Sequence, residues 1–412
     1  MGREVGYRAW RSREASAPDR SPRDEDPSNQ LRSLDRAGDA VTASEPLLDP
    51  ERPGPYPVGV TTDTFYDVAR VDPYTDRAPR ALKTEIWYPA TPETRSLPRN
   101  RFSDFLDRGT NAALNELAAF AMGSDPAEVD RRFRNDAVRD ARSEDGLFPL
   151  LVFSHGNGSF RAQSVFWCEH MASHGYVVAA PDHTYNAAAT TIGGEILVED
   201  TSERASDANV RARPDDVRFV IDVFARLARG DDSRFAGRVD LERVGVAGHS
   251  FGAVTAIAVA DADPRVKAIS PWASVGAPLR RSDVPVLQLL AAEDAALHAD
   301  RVEACRAWFL TCTGPRTFVE FLDAGHYSFS EMFQFRPGAG DGVGAGKRVT
   351  TGEPITYMSE ELVHRYVNAF TLAFFDRFVK GVVGRDAYLR TNPRPHDMIV
   401  RTLGAEISAR TG

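Results

Sequence analysis

The sequence predicts an α/β fold in which a mostly parallel central sheet carries helices on both faces, with a small helical insertion ahead of the main strands. Three observations predict it. From Leu147 onward, short and fully apolar runs of strand length recur along the chain. Amphipathic stretches with helical periodicity lie between them, the pattern of a sheet covered on both sides. The composition is that of an ordinary globular protein, 42% hydrophobic and 26% charged, so the core needs no staples.

Residues 1–52 are rich in Arg, Asp, Ser and Pro and hold no apolar stretch. Such a segment cannot bury enough surface to offset its ordering entropy, and it is expected to be disordered. It has no apolar h-region of the secretory type, which predicts a cytoplasmic protein. One domain is then expected over residues 53–400. Thr64–Val68 and Leu82–Tyr88 read as two strands. Residues 103–142 read as the helical insertion, with Phe105, Leu106, Leu114, Leu117, Ala118 and Phe120 on its apolar stripe. The core strands follow at Leu150–Phe153, Tyr176–Ala180, Val244–Ala247, Val266–Ile269, Val286–Leu290 and Phe318–Leu322. Asp216–Ala228 and Ser359–Val379 read as amphipathic helices. Residues 328–356 combine Phe329, Met332, Phe333 and Phe335 with the glycine-rich run Pro337–Gly346, which leaves two readings open: a mobile cover over an apolar acyl pocket, or a short helix with Phe329 and Phe333, four apart, facing the core.

The net charge of −9 offers no basic footprint for nucleic acid. No apolar run reaches the ~18 residues of an integral membrane span. Lysine is confined to Lys83, Lys267, Lys347 and Lys380, which reads as coding bias and carries no functional signal. The three cysteines, Cys168, Cys305 and Cys312, are too few for a disulfide framework and are expected to be buried free thiols, with pairing of Cys305 and Cys312 in an oxidising compartment as the alternative.

In a doubly wound sheet the reactive groups gather beyond the carboxyl ends of the strands. There, Gly248-His249-Ser250-Phe251-Gly252 forms G-x-S-x-G between an apolar strand and the small-residue helix start Ala253–Ala258. Glycine on both sides of a serine suits a sharp, strained turn that exposes a nucleophile. Ala291-Ala292-Glu293-Asp294 follows the next core strand but one, and Asp294 is the expected acid, with Glu293 as the fallback. Asp323-Ala324-Gly325-His326-Tyr327 follows the last core strand and supplies His326 as the base. The chain order Ser250, Asp294, His326 is that of a nucleophile, an orienting acid and a general base. His155-Gly156-Asn157-Gly158 follows the first core strand and reads as an oxyanion loop. The backbone N–H groups of Asn157 and Phe251 are the expected oxyanion donors, the latter aided by the helix N-terminus. His155, His183, Tyr327 and Phe329 are expected to line the substrate site, with Asp182 and His183 holding their loop.

These pieces, with GPYPVG (54–59), EIWYPA (85–90), FPLLVFSHGNGSFR (148–161), HGYVVAAPDH (174–183), RPDDVRFVID (213–222) and GHYSFSEM (325–332), cover residues 54–380. Together they resemble the α/β-hydrolase superfamily, and within it the bacterial platelet-activating-factor acetylhydrolase-like and predicted dienelactone hydrolase-like enzymes. The resemblance implies an α/β-hydrolase fold and hydrolysis of carboxylic esters through an acyl-enzyme, with no metal and no cofactor. Two departures stand out. Acetylhydrolases of this branch carry their acid in a D-x-W context, where this chain reads Ser270-Pro271-Trp272. True dienelactone hydrolases use cysteine where Ser250 stands. The expected partner is therefore a small-molecule or lipid-like ester of short-to-medium acyl length. A non-catalytic ligand-binding protein, an acyl transferase and a polyester hydrolase are the alternatives; the sequence leaves the oligomeric state open.

Overall fold

A computed structural model of the chain describes residues 47–75, 79–230, 234–274 and 282–404. The strands are β1 (Val58–Asp67), β2 (Arg80–Pro89), β3 (Val138–Arg139), β4 (Phe148–Ser154), β5 (Val177–Pro181), β6 (Ala189–Ile192), β7 (Glu195–Val198), β8 (Val239–His249), β9 (Val266–Trp272), β10 (Val286–Ala291), β11 (Arg316–Phe321), β12 (Ala345–Lys347), β13 (Pro354–Thr356) and β14 (Met398–Leu403). Ten of them form one sheet in the order β14-β11-β10-β9-β8-β4-β5-β2-β1-β3. The six strands from β11 to β5 run parallel, with β2 and β14 joining antiparallel on either side. All eight strands expected from the sequence lie in this sheet.

The helices are α1 (Ala112–Met122), α2 (Pro126–Arg132), α3 (Val165–Ser173), α4 (Glu203–Leu227), α5 (Phe251–Ala262), α6 (His298–Thr311), α7 (Met332–Phe335), α8 (Glu360–Phe378) and α9 (Asp386–Leu389). Alternation along β4 divides the core into two layers, because successive side chains in a strand point to opposite faces. Leu150 and Val152 join Val217, Val220 and Phe224 of α4 and Ile257 of α5 on one face. Leu151 and Phe153 join Trp167 of α3 and Phe370, Phe374 and Phe375 of α8 on the other. A continuously apolar strand therefore means two covered faces.

Several expectations need correction. The first 46 residues lie outside the described residues, but 47–52 are held in place. The Leu48 carbonyl accepts Arg385 Nη1 at 2.6 Å, Glu51 accepts the Tyr388 hydroxyl at 3.1 Å, and the Arg52 carbonyl bonds His174 Nε2 at 2.9 Å. The helix expected from Asp216 begins at Glu203 and carries Pro214 within it. In the insertion, Phe105, Leu106 and Leu114 of the expected stripe are buried in the core and Ala118 packs against it, but Phe120 is 88% exposed and of α1 only Leu114 is buried, so the stripe faces the core at its N-terminal end and not at Phe120. The insertion docks through Phe102, Phe105 and Phe133: the Phe102 and Phe133 rings meet Phe335 with centroids 4.9 Å and 6.2 Å apart, and the Phe105 ring meets Phe133 at 6.0 Å. The expected mobile cover holds α7 and the hairpin β12–β13, and it is tied to the candidate site as described next. The three cysteines are buried, as expected, and form no disulfide among the described residues.

Candidate active site

Strand β8 ends at His249, helix α5 begins at Phe251, and Ser250 is the hinge between them. Its backbone sits at φ 55°, ψ −118°, a region that side chains rarely occupy and that surrounding structure must impose. Two close approaches impose it. A Cβ on Gly252 would lie 1.8 Å from the Ser154 carbonyl oxygen, and one on Gly248 would lie 2.2 Å from the Gly252 oxygen. Only glycine fits at either place, and Ser250 is left partly exposed at the turn.

His326, on the loop after β11, bonds through Nδ1 to Asp294 Oδ2 at 2.8 Å. Asp294 follows β10, is fully buried, and accepts the Leu297 N–H on its other oxygen at 2.8 Å. Because a carboxylate only accepts, His326 Nδ1 carries the hydrogen and Nε2 is free to act as acceptor. The neighbouring acid does something else. Glu293 takes Arg348 Nη1 at 2.8 Å and the Val349 N–H at 2.7 Å, fastening the segment between β12 and β13.

The His326 backbone is fixed at both ends by residues that the sequence reading missed. His249 Nε2 donates to its carbonyl at 2.9 Å, and the two imidazole rings lie 4.6 Å apart, which sets His326 beside the elbow. Its N–H donates to Asp341 Oδ1 at 2.9 Å. The Asp341 carboxylate also accepts the N–H groups of Ala295 and Ala296, each at 3.0 Å, and its carbonyl accepts the Tyr327 N–H at 2.9 Å. One side chain from the glycine-rich run thus joins the acid-bearing and histidine-bearing loops. No local pattern announces it, because its partners are backbone groups. Among the described residues the Ser250 hydroxyl makes no hydrogen bond to His326; such contacts are commonly loose before substrate binds.

The oxyanion loop lies against the elbow. A Cβ on Gly156 would be 3.4 Å from that of Ser250, and the Gly156 N–H is taken by Gln163 Oε1 at 2.7 Å. Asn157 is exposed; its side chain accepts Asn186 Nδ2 and donates to Glu199 Oε1, both at 2.8 Å. Phe251 opens α5, where first-turn N–H groups lack helical partners.

Of the four residues expected to line a substrate surface, three are enclosed. His155 bonds the Gly156 carbonyl through Nδ1 at 2.6 Å and accepts the His183 N–H at 3.1 Å. Burial pushes its pKa down to about 3. Phe329 packs against Trp272, Phe321 and His249. His183 bonds Ser154 Oγ through Nε2 at 2.9 Å and Asp216 through Nδ1 at 3.0 Å, and burial holds it well below its usual pKa. This second Ser–His–Asp line is sealed, with all three side chains at 0% exposure, so no substrate reaches it. Tyr327 alone of the four is partly exposed, its ring edge-on to His326 at 5.6 Å. Ser270, at the D-x-W position, donates to the Leu287 carbonyl at 3.0 Å and accepts Trp272 Nε1 at 2.8 Å.

Comparison with known proteins agrees with this architecture. A solved structure, the ferulic acid esterase from Streptomyces cinnamoneus, superposes with a TM-score of 0.63 at 27% identity, covering 84% of this chain and 96% of that one. The chain has the α/β-hydrolase fold. A family model described as platelet-activating factor acetylhydrolase, isoform II, matches residues 41–219, and a PET hydrolase-like model matches 143–334. The platelet-activating factor acetylhydrolases of Cavia porcellus and Canis lupus familiaris are 25% and 24% identical over 260 residues, 54% of this chain and 55% of theirs. The chain thus spans about half the length of the curated relatives it matches. The acetylhydrolase family match ends before Ser250, and the PET hydrolase-like match contains Ser250, Asp294 and His326. No helix among the described residues is long and apolar enough to cross a membrane, and no cluster of three or more His, Cys, Asp or Glu among them is arranged to hold a metal.

Proposed function

We propose that this protein is a serine hydrolase that cleaves carboxylic esters through an acyl-enzyme intermediate. The observation that carries the reading is the pairing of a strained, partly exposed serine at φ 55° with an Asp294–His326 hydrogen bond of 2.8 Å held beside it. A binding protein has no need of either. His326 Nε2 removes the Ser250 proton during attack on the ester carbonyl and returns it to the leaving alkoxide. Asp294 fixes the tautomer and stabilises the imidazolium that forms. The N–H groups of Asn157 and Phe251 receive the developing oxyanion, each worth ~3 kcal/mol of barrier. Water then repeats the cycle on the acyl-enzyme.

Short-to-medium acyl esters are the proposed substrates. The relatives are named for an acetyl ester, and of the phenylalanines weighed for an acyl pocket Phe329 and Phe335 are packed away at 0% and 5% exposure, leaving Phe333 partly exposed. A polyester hydrolase is the second reading, favoured by the PET hydrolase-like match over the half holding Ser250. The test is labelling by a fluorophosphonate, with turnover of p-nitrophenyl acetate, p-nitrophenyl octanoate and a soluble aromatic polyester oligomer. Labelling and turnover are expected in the wild type and lost in Ser250→Ala. A folded wild type that neither labels nor turns over any of the three would refute the proposal.

A further inference from the structure

Arg213 of α4 is a fully buried cation next to the site that the proposed mechanism leaves unused. Its Nη1 donates to Asn186 Oδ1 at 2.8 Å, and its Nη2 donates to Ser154 Oγ at 3.0 Å and to the His155 carbonyl oxygen. Its guanidinium carbon lies 4.8 Å from the centre of the Phe251 ring. Asn186 passes the contact on, donating to Asn157 Oδ1 at 2.8 Å and accepting the Gly158 N–H at 3.1 Å. The guanidinium is therefore one step from Asn157 and in contact with Phe251, the residues whose N–H groups are assigned to the oxyanion.

Its charge state is as informative as its contacts. No carboxylate hydrogen-bonds to Arg213 among the described residues, and its Nε is buried without a partner. The nearby anion, Asp216, is occupied by Arg70, by Nε and Nη2 of Arg80, and by His183. Arg70 also meets Asp67, and Arg80 also meets Asp72, so the cluster presents Arg213 as its positive end toward Ser154, His155 and Phe251. Burial pushes the Arg213 pKa down to about 9, which keeps it a cation at neutral pH. A buried charge without a contacting counter-ion is costly, and an apolar side chain would fill the space at less expense. Fixed charge aimed at a site where negative charge develops has a use that packing alone does not explain.

We infer that Arg213 is a positioning residue for the oxyanion hole: it locks the 154–158 loop against Phe251 and biases that locus toward negative charge. The inference rests on the serine-hydrolase reading above. Its signature is loss of transition-state binding with substrate binding spared.

The test uses Arg213→Met, Arg213→Lys and Asn157→Ala in the full chain. The readouts are kcat and KM for p-nitrophenyl acetate, the Ki of phenylboronic acid, and Tm. The boronic acid reports on the hole because Ser250 Oγ donates a lone pair to boron as its proton passes to His326, leaving a tetrahedral boronate anion. Arg213→Met is expected to lower kcat ~10–100-fold with KM within about twofold, and to raise the boronate Ki in step with the fall in kcat/KM. Arg213→Lys, which keeps the charge and loses the fork, should recover part of both. Asn157→Ala alters an exposed side chain and keeps the N–H, so it should fold and show the same signature at ~3–10-fold. If Arg213→Met does not fold, Asn157→Ala and Arg213→Lys decide. A wild-type boronate Ki in the folded variants, or a kcat loss that the Ki does not follow, overturns the inference while the hydrolase reading stands. A wild type inert to fluorophosphonate and ester alike overturns both.

Discussion

Asp294→Asn changes one atom type and should remove nearly all turnover. Asp294 Oδ1 accepts the Leu297 N–H and Oδ2 accepts His326 Nδ1–H, each at 2.8 Å, with the side chain fully buried. In the variant only the amide oxygen can accept the Leu297 N–H, which turns the amide nitrogen toward His326. That nitrogen is a donor, so His326 must offer the Nδ1 lone pair and carry its hydrogen on Nε2, the atom that has to take the Ser250 proton. The equivalent tautomer error in serine proteases lowers kcat about 10⁴-fold, close to 5.5 kcal/mol of barrier. Glu293→Gln, one residue away, is the internal control. Glu293 serves Arg348, whose side chain is 35% exposed, and the Val349 N–H. Glutamine keeps an acceptor for that N–H and loses a solvent-screened ion pair of ~0–1 kcal/mol, so kcat should stay within about threefold. The assay is p-nitrophenyl acetate hydrolysis, with Tm confirming that both variants fold. A folded Asp294→Asn enzyme retaining about a tenth of wild-type kcat, or a Glu293→Gln enzyme losing 10²-fold, would refute the assignment of the acid.

Two further outcomes follow from the same geometry. Asp341→Ala deletes the acceptor of three backbone N–H groups on the two loops carrying Asp294 and His326. At roughly 1–2 kcal/mol per bond, with water replacing part of the loss at this partly exposed residue, kcat should fall ~10–100-fold and Asp341→Asn should lie between; unchanged kinetics in a folded Asp341→Ala would remove the clamp from the account. Stability should also fall in mild acid. Burial lowers the pKa of His155, His170 and His364 to about 3 and lowers His174, His183 and His249 as well. All six therefore bind fewer protons when folded than when unfolded, and the unfolded chain takes up protons below pH ~6.5, so stability is lost as pH falls through that value. Glu169 and Glu331, raised to about 8 and about 7 by burial, act in the opposite sense, since the folded state then binds the extra proton. Six groups outweigh two, at ~1.4 kcal/mol per pH unit for each excess proton. Tm should therefore drop between pH 6.5 and 5, and a rising Tm there would contradict the burial of these histidines.

What the sequence disclosed depended on how local its signal was. The core strands were legible because each is a short, predominantly apolar run, interrupted only by single residues such as Lys267, Gln288 and Glu320. The triad candidates were legible because each follows such a strand. The hairpin β6–β7 had a local signal too, Gly193-Gly194 at φ 60° and 88° between two strand-like runs, a two-residue turn of the favoured kind. The edge strand β14 is partly exposed and mixes Arg401 and Thr402 with apolar residues, so burial leaves little imprint on it. The helix start at Glu203 was hidden by Pro214. Asp341 and Arg213 were invisible for a different reason. Their partners are backbone groups, an amide, a hydroxyl and a ring brought from distant parts of the chain, and no spacing encodes that.

The sealed line Ser154–His183–Asp216 bears on how nucleophiles are picked out in other chains. A distance template built on serine, histidine and aspartate would return it with both hydrogen bonds complete and would return the Ser250 line with one. Ranked by completeness, the wrong serine wins, and mutagenesis would start at the middle of the sheet. Torsion angle and solvent contact reverse the ranking: Ser154 closes an ordinary strand, while Ser250 stands in a strained turn open to solvent. A filter that scores the backbone of the serine before the geometry of its partners separates relay from decoy.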